Sequence, residues 1–125
     1  MKVFIPVLSQ NLEFGKVVNT ESEEAFEVDT SIYSEERWEK HFPELAAREG
    51  LFEYIARIQD KSVSDRVKVS CMLKAIFCFI ESKSVNTYKD FAQMFNLAVP
   101  EYTNRLISSL KEAFDQILNG SSVKN

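Results

Sequence analysis

The stretch that most constrains this chain is Val67 to Ile80, VKVSCMLKAIFCFI, where apolar residues surround a predicted helix on nearly all sides. One face repeats at the i, i+3, i+4, i+7 spacing of a helix and carries Val69, Met72, Leu73, Ile76, Phe77 and Ile80. Lys74 interrupts the run, and a membrane span needs about 18–20 apolar residues, so this helix is too short to cross a bilayer. A helix that is apolar almost all round packs among other elements. The sequence therefore predicts the central helix of a small helical domain.

The composition favours one folded domain. The chain has 125 residues, of which 45% are hydrophobic and 10 are Phe, and this is ample for a core. The formal net charge is −4. Because nucleic-acid binding depends on phosphate neutralisation by Lys and Arg, we expect no general nucleic-acid binder. Cys71 and Cys78 lie about 10 Å apart on one predicted helix, too far for a mutual disulfide, and we interpret them as core thiols in a reducing cytoplasm.

Short β-strands are predicted in the first thirty residues. Lys2 to Leu8 is rich in β-branched and aromatic residues, and Pro6 places it at a sheet edge because proline cannot donate to the ladder. Ala25 to Asp29 alternates like a half-buried strand. Between them, residues 11–18 are ambiguous, and the acidic run 21–24 is typical of a solvated turn. Such short strands must lie on the helices or pair with another chain.

From Thr30 onward the apolar residues follow a helical period, and about five helices are predicted. Thr30, Ser31 and Ser34 are candidate N-caps of the first helix. Pro43 ends that helix and begins the next, which has a break or bend at Gly50.

The remaining helix boundaries are predicted from caps and proline. Ser62 or Ser64 caps the central helix, Thr87 opens a further helix, and Pro100 begins the last one, with Gly120 as its C′ residue. The expected fold class is mainly α, a single small domain of about five helices with a short N-terminal β-ribbon. Its expected parts are residues 1–30 as the ribbon, 31–120 as the helical core and 121–125 as a flexible tail.

No residue constellation in the sequence indicates catalysis. The single histidine, His41, has Glu35, Glu36, Glu39 and Glu44 around it, and a solvated acidic face explains them better than a metal site, which needs three or four converging ligands. There is no glycine-rich phosphate loop, no CxxC pair and no nucleophile with a positioned base. We therefore predict no enzyme and no catalytic, cofactor-binding or metal-binding residues. An enzyme with an unrecognised site is the weakest alternative.

Residues 87–110 also match a helix-turn-helix, which predicts a small DNA-binding regulator as the alternative function. The side chains that its second helix would offer to a DNA groove are Asn104, Arg105, Ser108 and Lys111. Glu101, Glu112 and Asp115 share that helix and oppose phosphate binding. Two packed helices joined by a tight turn give the same pattern for purely structural reasons.

The apolar ribbon suggests a surface for self-association or partner contact. An unpaired strand edge presents backbone N–H and C=O groups that a neighbour can satisfy, and this segment carries almost no charge to prevent it. The candidate contact residues are Val3, Phe4, Ile5, Val7, Phe26, Val28 and Trp38. Trp38 is also explained as a core residue packed on Phe42. The ribbon, likewise, is also explained as folding back on its own helices.

Four segments resemble one family of proteins. The first is VDTSIYSEERWEKHFPEL at 28–45, in which a strand ending in Asp-Thr-Ser leads into a helix with Arg, an aromatic, Glu, Phe and Pro-Glu. The others are LFEYIARI at 51–58, FCFIE at 77–81 and YKDFAQMF at 88–95. Together they resemble the tail assembly chaperones of long-tailed (siphovirus-type) phages and prophages of Gram-positive bacteria. The resemblance covers most of residues 28–120.

The resemblance implies a non-enzymatic assembly factor. Such chaperones bind the tape-measure protein before the tail tube polymerises, and they often self-associate into open spirals. Many are also made as a longer frameshifted product that recruits tail tube subunits. The resemblance thus implies a homo-oligomer in the cytoplasm of the bacterial host, absent from the mature virion, with no membrane partner and no cofactor.

Overall fold

The computed structural model describes residues 1–60, 64–81 and 85–119. Its elements are β1 (Lys2–Glu13), β2 (Lys16–Glu27), α1 (Ile32–His41), α2 (Pro43–Ala46), α3 (Leu51–Asp60), α4 (Asp65–Phe79), α5 (Tyr88–Ala92) and α6 (Pro100–Asn119). The predicted tail at 121–125, the C′ residue Gly120 and the candidate cap Ser62 lie outside the described residues.

The fold is α+β, so the expectation of a mainly α domain is wrong. Of the described residues, strands and bridges account for 24% and helices for 56%. The strands are not short: β1 and β2 each have 12 residues and pair antiparallel in register from Lys2↔Glu27 to Glu13↔Lys16. The acidic run 21–24, predicted as a turn, lies within β2. It is tolerated there because these four side chains are all exposed, and charge protects an exposed strand from pairing with other chains.

The helix count also differs from the prediction of about five, because the described residues contain six helices. The difference arises around Gly50, where the sequence predicts a break or bend in one helix. The structure has the break: α2 ends at Ala46, and α3 begins at Leu51 after four residues. The Glu53 carboxylate accepts a 2.8 Å hydrogen bond from the Gly50 N–H, and the Glu35 carboxylate accepts one of 3.0 Å from the Leu51 N–H. These carboxylates satisfy N–H groups at the start of α3, where a helix has no backbone partners of its own.

Helix α4 is the centre of the helical body, and this prediction is confirmed. It packs against α1, α3, α5 and α6. Ser64 is its N-cap, with its hydroxyl accepting a hydrogen bond from the Val67 N–H. Its buried side chains are Val69, Met72, Leu73, Ala75, Ile76, Phe77, Cys78 and Phe79. The remaining helix starts agree with the caps read from sequence: Ser31 for α1, Pro43 for α2 and Thr87 for α5.

The base of the hairpin is hydrogen-bonded to the helical body at several points. Beyond β2, the Asp29 N–H donates to the Phe79 carbonyl at 2.7 Å, and Val28 forms an isolated antiparallel bridge with Ile80. On the β1 side, the Leu8 N–H donates to the Met94 carbonyl at 3.1 Å. Helix α6 packs along β1. The base of the hairpin therefore belongs to the core.

Candidate functional site

The outer part of the hairpin, residues 9–20, projects from the body and is called the arm below. Its side chains are all exposed except that of Val18, which is partly buried. The last attachment on β1 is at Leu8, six residues before the turn. Since a strand rises about 3.3 Å per residue, the arm extends roughly 20 Å beyond that point.

The end of the arm is apolar. Phe14 is fully exposed at 103% of its reference area, Leu12 at 73% and Val17 at 63%. Leu12 and Val17 are directly opposite each other in the ladder, so their side chains share one face. We call Leu12, Phe14 and Val17 the tip. Single exposed apolar residues are ordinary on protein surfaces, but three adjoining ones at the end of a projecting element indicate a contact surface.

Phe14 also has an unusual backbone conformation. It forms a two-residue turn with Gly15, and φ is 51° at Phe14 and 76° at Gly15. Positive φ at both central residues is the feature of the type I′ turn, which favours Asn-Gly or Asp-Gly and not a bulky side chain. A bulky residue at positive φ is strained, and the exposed Phe14 ring has no packing within this chain to compensate. Such strain points to a contact outside the chain.

The hairpin carries an excess of acidic groups. Its five acidic residues outnumber its two basic residues, Lys2 and Lys16; the acidic ones are Glu13, Glu21, Glu23, Glu24 and Glu27. One carboxylate is paired with the body: Arg105 of α6 donates through Nε to Glu21 Oε2 at 3.0 Å. The hydrogen bond from Arg105 lowers the pKa of the Glu21 carboxyl below its ordinary value. The half of β2 nearest the body, residues 21–27, thus presents negative charge.

A second surface with different chemistry lies between α3 and α4. It is a cavity of about 270 Å³ lined by Leu45, Tyr54, Arg57, Ile58, Val67, Lys68, Cys71 and Lys74, and we call it the α3–α4 groove. Apolar side chains and three basic side chains line it, with no acidic residue. Arg57 donates to the Glu49 carboxylate through Nε at 3.1 Å. Lys68 also borders a neighbouring hollow that includes Lys111 and Asp115 of α6.

Most of the residues predicted for partner contact lie in the chain's own core. Val3 and Ile5 are fully buried, and Phe26 and Val28 are buried with them. Val7 is partly buried, and only Phe4, exposed at 57%, is open to a partner. The structure thus places the ribbon's base on its own helices, the alternative that the sequence left open. A partner contact through the buried residues stays a prediction, and it would require this base to open.

Trp38 is a core residue in this structure. Its side chain is fully buried, its Nε1–H donates to the Glu49 carbonyl at 3.0 Å, and its ring lies 4.8 Å from the ring of Tyr54 and 5.5 Å from that of Phe42. The packing on Phe42 is the arrangement that the four-residue spacing predicted.

The residues of the helix-turn-helix pattern lie in an acidic setting. The first helix, α5, has only five residues. Asn104, Arg105 and Ser108 border a shallow hollow together with Glu21 and Glu23 of β2. Arg105 is paired with Glu21 and is not free to neutralise a phosphate. This geometry disfavours the DNA-reading alternative, because negative charge adjoins the side chains that would enter the groove.

Within residues 1–60, 64–81 and 85–119, no group of three or more His, Cys, Asp and Glu side chains could hold a metal ion. Over the same described part of the chain, no helix has both the length and the apolar character needed to span a bilayer.

No sequence pattern clearly indicated the arm's tip or the α3–α4 groove. Phe-Gly is not a usual hairpin signal, and the basic residues of the groove are spread over two helices. The chain matches no protein-family model, and no curated protein or solved structure is significantly similar to it.

Proposed function

We propose that this chain is a tail assembly chaperone of a siphovirus-type phage or prophage, which binds the tape-measure protein and self-associates during tail assembly. The resemblance of residues 28–120 to that family supports the proposal, and the segment at 28–45 supports it most directly. In the structure this segment runs from the end of the hairpin through α1 into α2, and its Trp38 and Phe42 rings pack together.

The observation that carries the proposal is the arm. Twelve residues extend from the body, nearly all of their side chains are exposed, and the end is apolar and strained. Projecting apolar surface of this kind serves association between proteins, because its burial against a partner is favourable and its exposure in isolation is not. An assembly factor requires such surfaces. We propose that it acts in the cytoplasm of the bacterial host and is absent from the mature virion.

Co-expression with the tape-measure protein encoded by the same genome tests this function. We expect the two proteins to co-purify, and we expect the soluble fraction of the tape-measure protein to rise when the chain is present. An unrelated coiled-coil protein of equal length, expressed in the same way, is the control and should not co-purify. Gene order provides an independent check, since a tape-measure gene is expected just downstream. Failure to co-purify with the tape-measure protein would refute the proposed function.

A further inference from the structure

We propose that the tip of the arm docks into the α3–α4 groove of a second copy of this chain, so that successive copies join head to tail. This inference deepens the self-association within the proposed function and rests on it. It names the two surfaces, which neither the resemblance nor the sequence pattern provided.

The first argument is that tip and groove have complementary chemistry. The tip offers three apolar side chains, while Leu45, Ile58 and Val67 give the groove apolar walls. The hairpin as a whole has five acidic and two basic side chains, although Glu13 and Lys16 balance each other within the arm. The groove carries Lys68 and Lys74 and also Arg57, which is paired with Glu49. The apolar match is therefore the main argument for the fit, and the opposite net charges of hairpin and groove assist the encounter of two copies.

The second argument is the size of the groove. Its volume of about 270 Å³ is below the range of roughly 300–1,000 Å³ that is typical of small-molecule pockets. An inserted aromatic side chain with a neighbouring aliphatic one is a better occupant for such a space. Phe14, at the extreme end of the arm, is the side chain that reaches deepest into any partner.

The third argument is that one copy cannot fill its own groove. Along β1, contacts with the body pass from Tyr102, which binds Pro6, to Met94, which binds Leu8. The hairpin therefore runs toward the start of α6 and leaves the body there. The groove adjoins the other half of α6, because Lys68 borders both the groove and the hollow formed with Lys111 and Asp115. The tip thus points away from its own groove.

The tip and the groove are different surfaces on different parts of the molecule, so a contact between the tip of one copy and the groove of the next is heterologous. Each copy that donates its tip still has a free groove, and association continues unless the rotation closes a ring. The contact involves few side chains, so it belongs to the weak, concentration-dependent class of interfaces.

Cysteine cross-linking tests the contact directly, because Cys71 already lies in the groove. A donor chain carrying Phe14→Cys and Cys71→Ser is mixed with a size-tagged acceptor chain of natural sequence and mildly oxidised. We expect a disulfide-linked heterodimer whose link maps to positions 14 and 71. The control donor carries Ile32→Cys and Cys71→Ser; Ile32 is exposed at 73%, as much as Leu12, but lies on α1 away from the arm. A link between positions 14 and 71 no more abundant than the control link would overturn the inference.

Light scattering over a concentration series gives a second readout that needs no oxidation. Phe14→Asn should weaken association at least about tenfold, as expected for the loss of an aromatic anchor, and so should Lys68→Glu combined with Lys74→Glu. Ile32→Asn should leave association unchanged. A chain that is monomeric throughout, or that associates equally well with Phe14→Asn, refutes the docking. Neither experiment contains the tape-measure protein, so their failure is distinguishable from failure of the co-purification.

Discussion

The phenol hydroxyl of Tyr102 donates a 2.8 Å hydrogen bond to the carbonyl oxygen of Pro6, and both residues are buried. This bond joins α6 to β1 close to the point where the hairpin leaves the body. Since Pro6 has no N–H to offer the ladder, its carbonyl is its only backbone hydrogen-bonding group.

Removal of this hydroxyl should destabilise the fold without altering its shape. For Tyr102→Phe we expect the free energy of unfolding to fall by about 1–3 kcal/mol, because a buried acceptor loses its partner. Chemical denaturation measures the change. Tyr33→Phe, at an exposed position, should change it by less than about 0.5 kcal/mol. Equal effects of the two substitutions would show that the bond to Pro6 contributes nothing specific.

Phe77 should be among the most costly side chains to truncate. It is buried on α4, and its ring lies within 6.4 Å of the rings of His41, Phe42, Tyr88 and Phe91. For Phe77→Ala we expect a loss of about 3–5 kcal/mol, the usual range for a buried Phe. Denaturation of the variant beside Phe52→Ala, on the partly exposed side of α3, provides the comparison. A loss below about 1 kcal/mol for Phe77→Ala would mean that α4 is peripheral.

The agreement between sequence and structure is best where local rules decide the outcome. The apolar faces of α4 and the caps Ser31, Ser64 and Thr87 are set by spacing and by short-range hydrogen bonds, so they could be predicted. The length of the hairpin could not be predicted in this way. Its outer residues are exposed on both faces, so they show no alternation, and Phe14-Gly15 lacks the usual turn residues.

The candidate contact residues show a second limit of sequence patterns. The apolar residues Val3 and Ile5 need cover from water, but the pattern does not say whether the cover comes from the same chain or from another. In the structure it comes from the same chain. No sequence pattern indicated the α3–α4 groove, because Leu45, Tyr54 and Lys74 are distant in sequence and come together only in the folded chain.

His41 should titrate below its ordinary pKa. Burial lowers the pKa of the imidazole from 6.5, and the positive charges of Lys40 and Arg37 lower it further. The folded protein therefore binds a proton at His41 less readily than the unfolded chain does. With respect to this group, the protein is most stable above pH 6.5, and it loses that stability as the pH falls through the folded pKa. Because His41 is the single histidine, one NMR resonance reports its midpoint. A midpoint at or above 6.5 would contradict this environment, and His41→Gln should remove the corresponding slope of stability with pH.

The protein should show no sequence-specific binding to duplex DNA at moderate salt. Specific readers bind with dissociation constants of about 10⁻⁸–10⁻¹¹ M, and here Glu21 and Glu23 adjoin the residues that would contact DNA. A footprinting assay checks the expectation, with Arg105→Ala as the matched variant. A footprint that disappears with Arg105→Ala would favour the regulator over the chaperone.

Phe14→Asn should leave the fold as stable as before or more stable. Asn adopts positive φ more readily than Phe, whose left-handed backbone costs about 1–2 kcal/mol, so we expect a gain of up to about 1 kcal/mol in the free energy of unfolding. Phe4→Asn in the same hairpin is the control. Phe4 is also exposed, but it sits in a regular strand, where Asn is disfavoured, and a small loss is expected. Thermal unfolding of both variants at low protein concentration, where copies do not associate, measures the difference. If Phe14→Asn destabilises the protein more than Phe4→Asn does, the Phe14 ring serves the fold of its own chain. If stability holds or rises, the Phe14 ring is not needed for the fold of its own chain.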